Sequence, residues 1–189
     1  YKTILYGLET SQYQNLTPFK KRIKNKILNS GAVASTKFHN RLYCKLFRGD
    51  ADPMLHYKLR TKCNQLPYVQ FKHTLEHDLI GDKYPIYLQK FASAIASTTD
   101  TFTMKYFEMP AANCLTFMEV TEKNSADMLG FIDGESAIFI NEKNYKEKFN
   151  EYLSDIDNPK WEKIANMGRI HALENFSNDK GVDSLIDFI

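Results

Sequence analysis

The stretch Ala94-Ile95-Ala96-Ser97-Thr98-Thr99-Asp100-Thr101-Phe102-Thr103-Met104-Lys105-Tyr106-Phe107-Glu108, running on through Met109-Pro110-Ala111-Ala112-Asn113-Cys114-Leu115-Thr116-Phe117, decides the fold. Ala92 to Thr98 is a run of small residues that suits a strand buried on both faces, and Leu115 to Val120 suits its neighbour. Between them lie a hydroxyl-rich loop and a short helix carrying one Lys and one Glu. Such a loop is a candidate cradle for a nucleotide diphosphate. A helix start presents unpaired N–H groups and a positive dipole end, so a diphosphate over Thr101-Phe102-Thr103 would be stabilised without a metal. Lys105 would add a point charge, and Glu108 would accept hydrogen bonds from both hydroxyls of a ribose, discriminating against deoxyribose. The plain alternative is an ordinary α/β helix on which Lys105 and Glu108, three apart, pair on a solvated face.

Working outward, the spacing predicts further strands and helices in alternation. Thr3 to Gly7 is an apolar run ending at Gly, read as a first strand and its exit. Thr17 and Pro18 look like the start of a helix carrying Phe19, Ile23 and Ile27, stopped by Asn29-Ser30-Gly31. Ala32 to Ser35 and Leu42 to Phe47 read as strands, Arg48 to Pro53 as a turn, Met54 to Lys62 as a helix, Tyr68 to Phe71 as a strand and Tyr84 to Phe91 as a helix. After Val120 come a helical turn at Ser125 to Leu129, a turn at Asp133-Gly134 and the strand Ala137 to Ile140. Tyr145, Phe149, Tyr152 and Leu153 mark one helix. Asn158-Pro159 caps another, with Trp161, Ile164 and Ala165 as its buried stripe, and Val182, Leu185, Ile186 and Ile189 mark a last one. The alternation predicts one α/β, Rossmann-like domain over 1–189: a mostly parallel sheet with helices on both faces. Ligands would bind at the carboxyl ends of the strands, where loops after Gly7, Phe71 and Thr98 would converge.

With 189 residues and 43% hydrophobic content, the chain suits a single core. No run approaches the roughly 18 apolar residues that span a bilayer, and no signal-peptide pattern opens the chain, so no transmembrane segment is expected. Three cysteines, Cys44, Cys63 and Cys114, without a Cys-x-x-Cys pair argue against a disulfide framework or zinc ribbon and suit a reducing, cytoplasmic setting. The chain opens on Tyr1 and not Met, so either an excised domain or a chain lacking an N-terminal part is expected. A net charge of +2 does not point to nucleic acid. The cluster Lys20, Lys21, Arg22, Lys24 and Lys26 is either a solvated helix face or a source of one cation, Lys20 or Arg22, for an anionic ligand.

Several chemistries are disfavoured by what is missing. One glycine in Tyr6-Gly7-Leu8-Glu9-Thr10-Ser11 makes no dinucleotide fingerprint, and neither a Gly-Lys-Ser/Thr phosphate loop nor a Gly-x-Ser-x-Gly elbow occurs. His73-Thr74-Leu75-Glu76-His77 spells an inverted zinc-peptidase motif, but it follows a strand rather than lying on a helix. The reading preferred here places Lys72 and His73 at a strand exit lining a ligand crevice, with base recognition near Lys72 to His77.

Lys105-Tyr106-Phe107-Glu108-Met109-Pro110-Ala111-Ala112 resembles the "KYFE" segment of GT-B glycosyltransferases of the "glycosyl transferases group 1" type, the spore-maturation-protein-like members above all. Leu129-Gly130-Phe131-Ile132-Asp133-Gly134 and Asn158-Pro159 through Ile164-Ala165-Asn166-Met167-Gly168-Arg169 are similar to two later segments of that family. The resemblance implies the C-terminal, nucleotide-sugar-binding half of a GT-B enzyme, which transfers a hexose-like unit from a nucleotide diphosphate to an acceptor hydroxyl. It implies an N-terminal partner domain, no cofactor, and no metal. It also implies a pair of acidic residues eight apart: Glu108 matches the second, and Asp100, shorter than the usual Glu, the first. Lys105 and one of Lys20 or Arg22 would stabilise the leaving diphosphate. A non-catalytic α/β binding module is the alternative.

Overall fold

The computed structural model describes residues 7–73, 79 and 81–187. The first expected strand, apart from Gly7, falls outside them, as do most of the His73–His77 motif and Ile189.

Among the described residues, five parallel strands form one sheet: β1 (Ile23–Ser30), β2 (Val69–Lys72), β3 (Phe91–Ala96), β4 (Leu115–Glu119) and β5 (Ile138–Ile140). Their order across the sheet is β2-β1-β3-β4-β5. Among the described residues, eight α-helices connect or follow them: α1 (Phe38–Phe47), α2 (Pro53–His56), α3 (Lys58–Cys63), α4 (Lys83–Leu88), α5 (Lys105–Ala111), α6 (Tyr145–Ser154), α7 (Pro159–Asn175) and α8 (Asn178–Ile186). Consecutive residues of the central strands enter opposite layers. Leu28, Ala94 and Met118 pack with Tyr84, Leu88, Tyr106, Phe107 and Met109 of α4 and α5. Ile27, Ile95 and Phe117 pack with Leu59, Cys63, Tyr145, Phe149 and Tyr152 of α3 and α6. Small residues in β3 let both layers approach, because a parallel sheet must be covered on both faces. The predicted α/β class with helices on both faces is therefore the observed one.

The first third of the chain departs from expectation in three places. Thr17 to Ile27 is not a helix: a 3-10 turn at Phe19–Lys21 leads into β1, where Ile27 and Leu28 are buried on opposite faces between β2 and β3. The four-residue spacing of Phe19, Ile23 and Ile27 is helical on its face, but Ile23 is exposed and no stripe exists. Ala32 to Ser35 has no regular structure, and Leu42 to Phe47 is the last part of α1 rather than a strand. A short apolar run cannot by itself separate strand from helix. Farther along, the expected helix over Met54 to Lys62 is split into α2 and α3, and the one over Tyr84 to Phe91 ends at Leu88 because Phe91 opens β3. The later described elements lie close to where the spacing put them, with the Asn158 side chain accepting from the Lys160 N–H as the cap of α7.

Because β1 begins at Ile23, Lys20 and Arg22 sit at the amino edge of the sheet. Arg22 is buried there, and its guanidinium donates to the carbonyls of Ala112 and Asn113, each at 2.8 Å, and of Thr17 at 2.9 and 3.0 Å. Arg169 donates to the Ala111 carbonyl at 2.6 Å. The carboxyl end of α5 is thus closed by two guanidinium groups, while Asn113 turns the chain out of the helix with φ 61°. A seven-residue helix containing Pro110 has too few internal hydrogen bonds to hold alone, so these ties are what define it.

Replacing Arg22 by Met removes a charged donor set and strands buried carbonyls, an expected loss of about 2–3 kcal/mol of stability in urea denaturation.

Candidate functional site

Strand order reverses direction of growth between β1 and β3, so their exits diverge and leave a crevice at the carboxyl edge. It is an open crevice of about 300 Å³ lined by Gly31 and Ala32 after β1, Tyr57 and Arg60 of the α2–α3 segment, and Thr103, Met104, Lys105 and Glu108 around the start of α5. The helix spacing of α5 explains this division. Lys105 and Glu108, one turn apart, face the crevice, while Tyr106 and Phe107 between them are buried. The Tyr106 hydroxyl donates to the Glu119 carbonyl at 3.0 Å and accepts from the Thr98 N–H at 3.2 Å. Asn124 donates to the carbonyls of Thr98 and Glu119, each at 2.9 Å, fixing the loop before α5 to the end of β4.

Two cations face each other across Gly31. Arg60 is 2% exposed, and one nitrogen, Nη1, reaches the Ala32 carbonyl at 3.3 Å. Its Nε and Nη2 are buried with no hydrogen-bond partner, and no carboxylate forms an ion pair with it among the described residues. The guanidinium instead lies over the ring of Tyr57, 5.2 Å from its centroid. Lys105 lies over the ring of Tyr84 at 5.0 Å. Burial, then the nearby Arg60 charge, push the Lys105 ammonium down to about 8, with Glu108 acting in the opposite sense. Burial raises the Glu108 carboxyl, which Lys105 partly offsets. The Thr103 hydroxyl is also buried without a partner among the described residues. Leaving a buried guanidinium unpaired costs several kcal/mol, and an anion entering the crevice would remove that cost.

Gly31 is what gives the two cations their space. A Cβ there would stand 2.8 Å from Arg60 Nη1 and 2.8 Å from Lys105 Cε, and its φ of +114° is a conformation that side chains disfavour.

The structure brings Lys105, Glu108 and Thr103 together in this crevice, with Thr101 and Phe102 in the loop before it. Thr101 is exposed, and the Phe102 ring packs edge-on to Tyr106 and Phe107. Asp100 lies at the rim, where its carboxylate pairs with both His56 Nδ1 and Lys123 Nζ, and these partners hold it below the usual carboxylate range. His56 Nε2 donates to the Asp50 carbonyl at 2.8 Å, and Asp100 raises the His56 imidazole above its ordinary value. Lys72 ends β2 beside Ser30, but its side chain lines a separate cavity with Lys83, Tyr87 and Lys90, and the His73 ring stands edge-on to Phe71. Lys20 and Arg22 are at the opposite edge of the sheet and do not reach the crevice. The loop after Gly7 does not converge on it either: Leu8 bridges Ser177, outside the five-stranded sheet.

Arg60 and Gly31 are the residues that sequence reasoning missed. One signal existed for Arg60. Lys58 and Lys62, four apart, share a face and pair with Glu142, whereas Arg60 falls beside the apolar positions Leu59 and Cys63. Gly31 was legible only as a stop signal, since its second role depends on two side chains distant in sequence.

Neither a protein-family model nor a curated protein sequence matches the chain. Solved structures do resemble it. One is a glycosyltransferase from Rickettsia africae, with TM-score 0.62 and 13% identity over 98% of this chain and 55% of that one. Another is HepE of Anabaena, solved with UDP and glucose, with TM-score 0.63 and 11% identity over 99% of this chain and 56% of that one. A third is the C-terminal domain of LpcC, a glycosyl transferase group 1 family protein from Francisella tularensis, with TM-score 0.52 and 16% identity over 93% of this chain and 97% of that domain. The chain spans a little over half the length of the first two and nearly all of the third. Its fold is that of the C-terminal half of a GT-B glycosyltransferase. No described helix is long and apolar enough to cross a membrane.

Gly31→Ala is expected to cost about 1–3 kcal/mol in thermal unfolding from backbone strain. Its larger effect is the displacement of Arg60 and Lys105, read as weaker binding of inorganic pyrophosphate by calorimetry.

Proposed function

We propose that this chain is the donor-binding domain, over 1–189, of a nucleotide-sugar-dependent glycosyltransferase that transfers a hexose-like sugar from a nucleotide diphosphate to an acceptor hydroxyl. The observation that carries the reading is the buried Arg60 guanidinium, with two nitrogens unpartnered among the described residues, facing Lys105 across Gly31 at the carboxyl ends of β1 and β3. Two cations in an open crevice suit a diphosphate. Its support from other structures is the fold shared with HepE, which was solved with UDP-glucose.

In this reading the anomeric C–O bond breaks and the nucleotide diphosphate leaves with the electron pair. Arg60 and Lys105 stabilise the charge that develops on the departing oxygen, in a site where little reorganisation is needed. The acceptor hydroxyl oxygen forms the new bond to the anomeric carbon, and its proton passes to the departing diphosphate. Lys105 and Glu108 are the catalytic-site residues, Glu108 accepting from the ribose hydroxyls, with Thr101, Phe102 and Thr103 beside the diphosphate. His56 holds one Asp100 carboxylate oxygen and Lys123 the other, so in this reading Asp100 reaches the sugar only by exchanging one of these partners for it. No cofactor or metal takes part. The acceptor is held by a separate N-terminal domain, and the setting is cytoplasmic.

The isolated chain is expected to bind UDP, GDP or ADP, or one of their sugars, at millimolar concentration in a thermal-shift assay, and to transfer sugar poorly or not at all. Lack of a shift with all of them overturns the reading. Arg60→Met should weaken diphosphate binding at least tenfold while the fold persists. Glu108→Ala should reduce affinity for the ribonucleotide to that for its 2′-deoxy form, which tests the ribose assignment on its own.

The sign of the pH dependence follows from Lys105. The diphosphate prefers the ammonium form, so affinity is level below about pH 8 and falls above it, by at most about tenfold per pH unit as binding takes up one proton. Lys105→Arg should leave affinity flat between pH 7 and 9.

A further inference from the structure

Lys105 stands opposite a second positive charge, and no carboxylate forms an ion pair with it among the described residues. Arg60 repels it from α3, while Glu108 attracts it through space from α5. What touches the ammonium is Tyr84 of α4. The Tyr84 ring lies 5.0 Å from Lys105 Nζ, and its hydroxyl is 3.4 Å from the same nitrogen. That hydroxyl is also 2.7 Å from Ser30 Oγ. A charged ammonium has donors and no acceptor, so the Tyr84 oxygen accepts from Lys105, while the Tyr84 and Ser30 hydroxyls share a hydrogen bond in which either oxygen can be the donor. Ser30 is the last residue of β1, adjacent to Gly31, and Tyr84 is itself buried. A hydrogen-bonded chain therefore runs from the ammonium through the tyrosine to the end of the central strand.

We propose that Tyr84 is a positioning residue for the donor site: its ring face and its hydroxyl, oriented by Ser30, hold the Lys105 ammonium over the crevice so that it meets a diphosphate already facing Arg60. A lysine side chain has four rotatable bonds and would otherwise swing away from the guanidinium toward solvent. The aromatic face attracts the cation through its quadrupole, and the hydroxyl fixes its direction. Phenylalanine keeps the first contact and loses the second. The assignment rests on the diphosphate reading of the crevice, but the Tyr84–Lys105 interaction is measurable without any ligand.

Two measurements on the full chain separate these. In the first, UDP affinity is determined by calorimetry for the wild type, Tyr84→Phe, Lys105→Met and the double variant. Tyr84→Phe is expected to weaken binding about three- to tenfold, and the double variant to bind no more weakly than Lys105→Met alone, because Tyr84 acts through the lysine. Penalties that multiply, or a Tyr84→Phe protein that binds as tightly as the wild type, overturn the proposal. In the second, the Lys105 side chain is titrated by heteronuclear NMR without nucleotide. Loss of the hydroxyl acceptor should move its midpoint to lower pH in Tyr84→Phe, and Ser30→Ala, which leaves the tyrosine in place, should move it less in the same direction. An unmoved midpoint in both variants overturns the proposal whether or not Tyr84→Phe is fully stable. If UDP fails to bind the wild type while the midpoint still moves, the diphosphate reading fails and the Tyr84–Lys105 coupling stands.

Discussion

Helix α5 depends on what happens beyond its carboxyl end. It is short, contains Pro110, and turns sharply at Asn113, so its geometry is set by the Arg22 and Arg169 guanidinium groups that take up the carbonyls of Ala111, Ala112 and Asn113. Arg22 is itself held by the Thr17 carbonyl and buried at the amino edge of the sheet. A planar fork of five donors suits this task, because several carbonyls can be satisfied by one rigid group. With the far end anchored and Tyr106 tied to Thr98 and Glu119 near the start, Lys105 and Glu108 have one direction left to face.

The crevice is then a consequence of topology and of one missing side chain. β1 and β3 are adjacent and parallel, and the segments leaving them pass to α1–α3 on one side and α5 on the other. Arg60 arrives from one layer and Lys105 from the other, and Gly31 keeps the space between them open. Each cation rests on an aromatic ring, Tyr57 or Tyr84, rather than on a carboxylate. An aromatic face stabilises a cation without neutralising it, so positive potential remains for a ligand. The acidic groups near the rim are engaged elsewhere, Asp100 with His56 and Lys123, and Glu142 with Lys58 and Lys62.

The second half of the chain was legible because its signals are local. Small residues in β3, the Lys105–Glu108 spacing, the Asp133-Gly134 turn and the Asn158-Pro159 cap each act within a few residues of themselves. The first half was less so. β1 contains Lys24, Lys26 and an exposed Ile23, and looks helical until β2 and β3 are placed on either side of it. Leu42 to Phe47 is apolar yet exposed in α1, so its pattern reports no buried face.

The sequence by itself determined the α/β class, the strand–loop–helix–strand unit around Lys105, and which two side chains of α5 share a face, since helical and strand periodicity are properties of neighbouring residues. Only the tertiary structure decided that Arg22 closes a helix end instead of meeting a ligand, that Asp100 is paired at the rim, and that Arg60 and Gly31 complete the crevice. These outcomes turn on contacts between residues tens of positions apart, Arg22 with Asn113, His56 with Asp100, Gly31 with Lys105. A charged residue carries the same letter whether it is solvated, structural or waiting for an anion. Burial and the partners it lacks tell these apart, and both are fixed by how the layers pack.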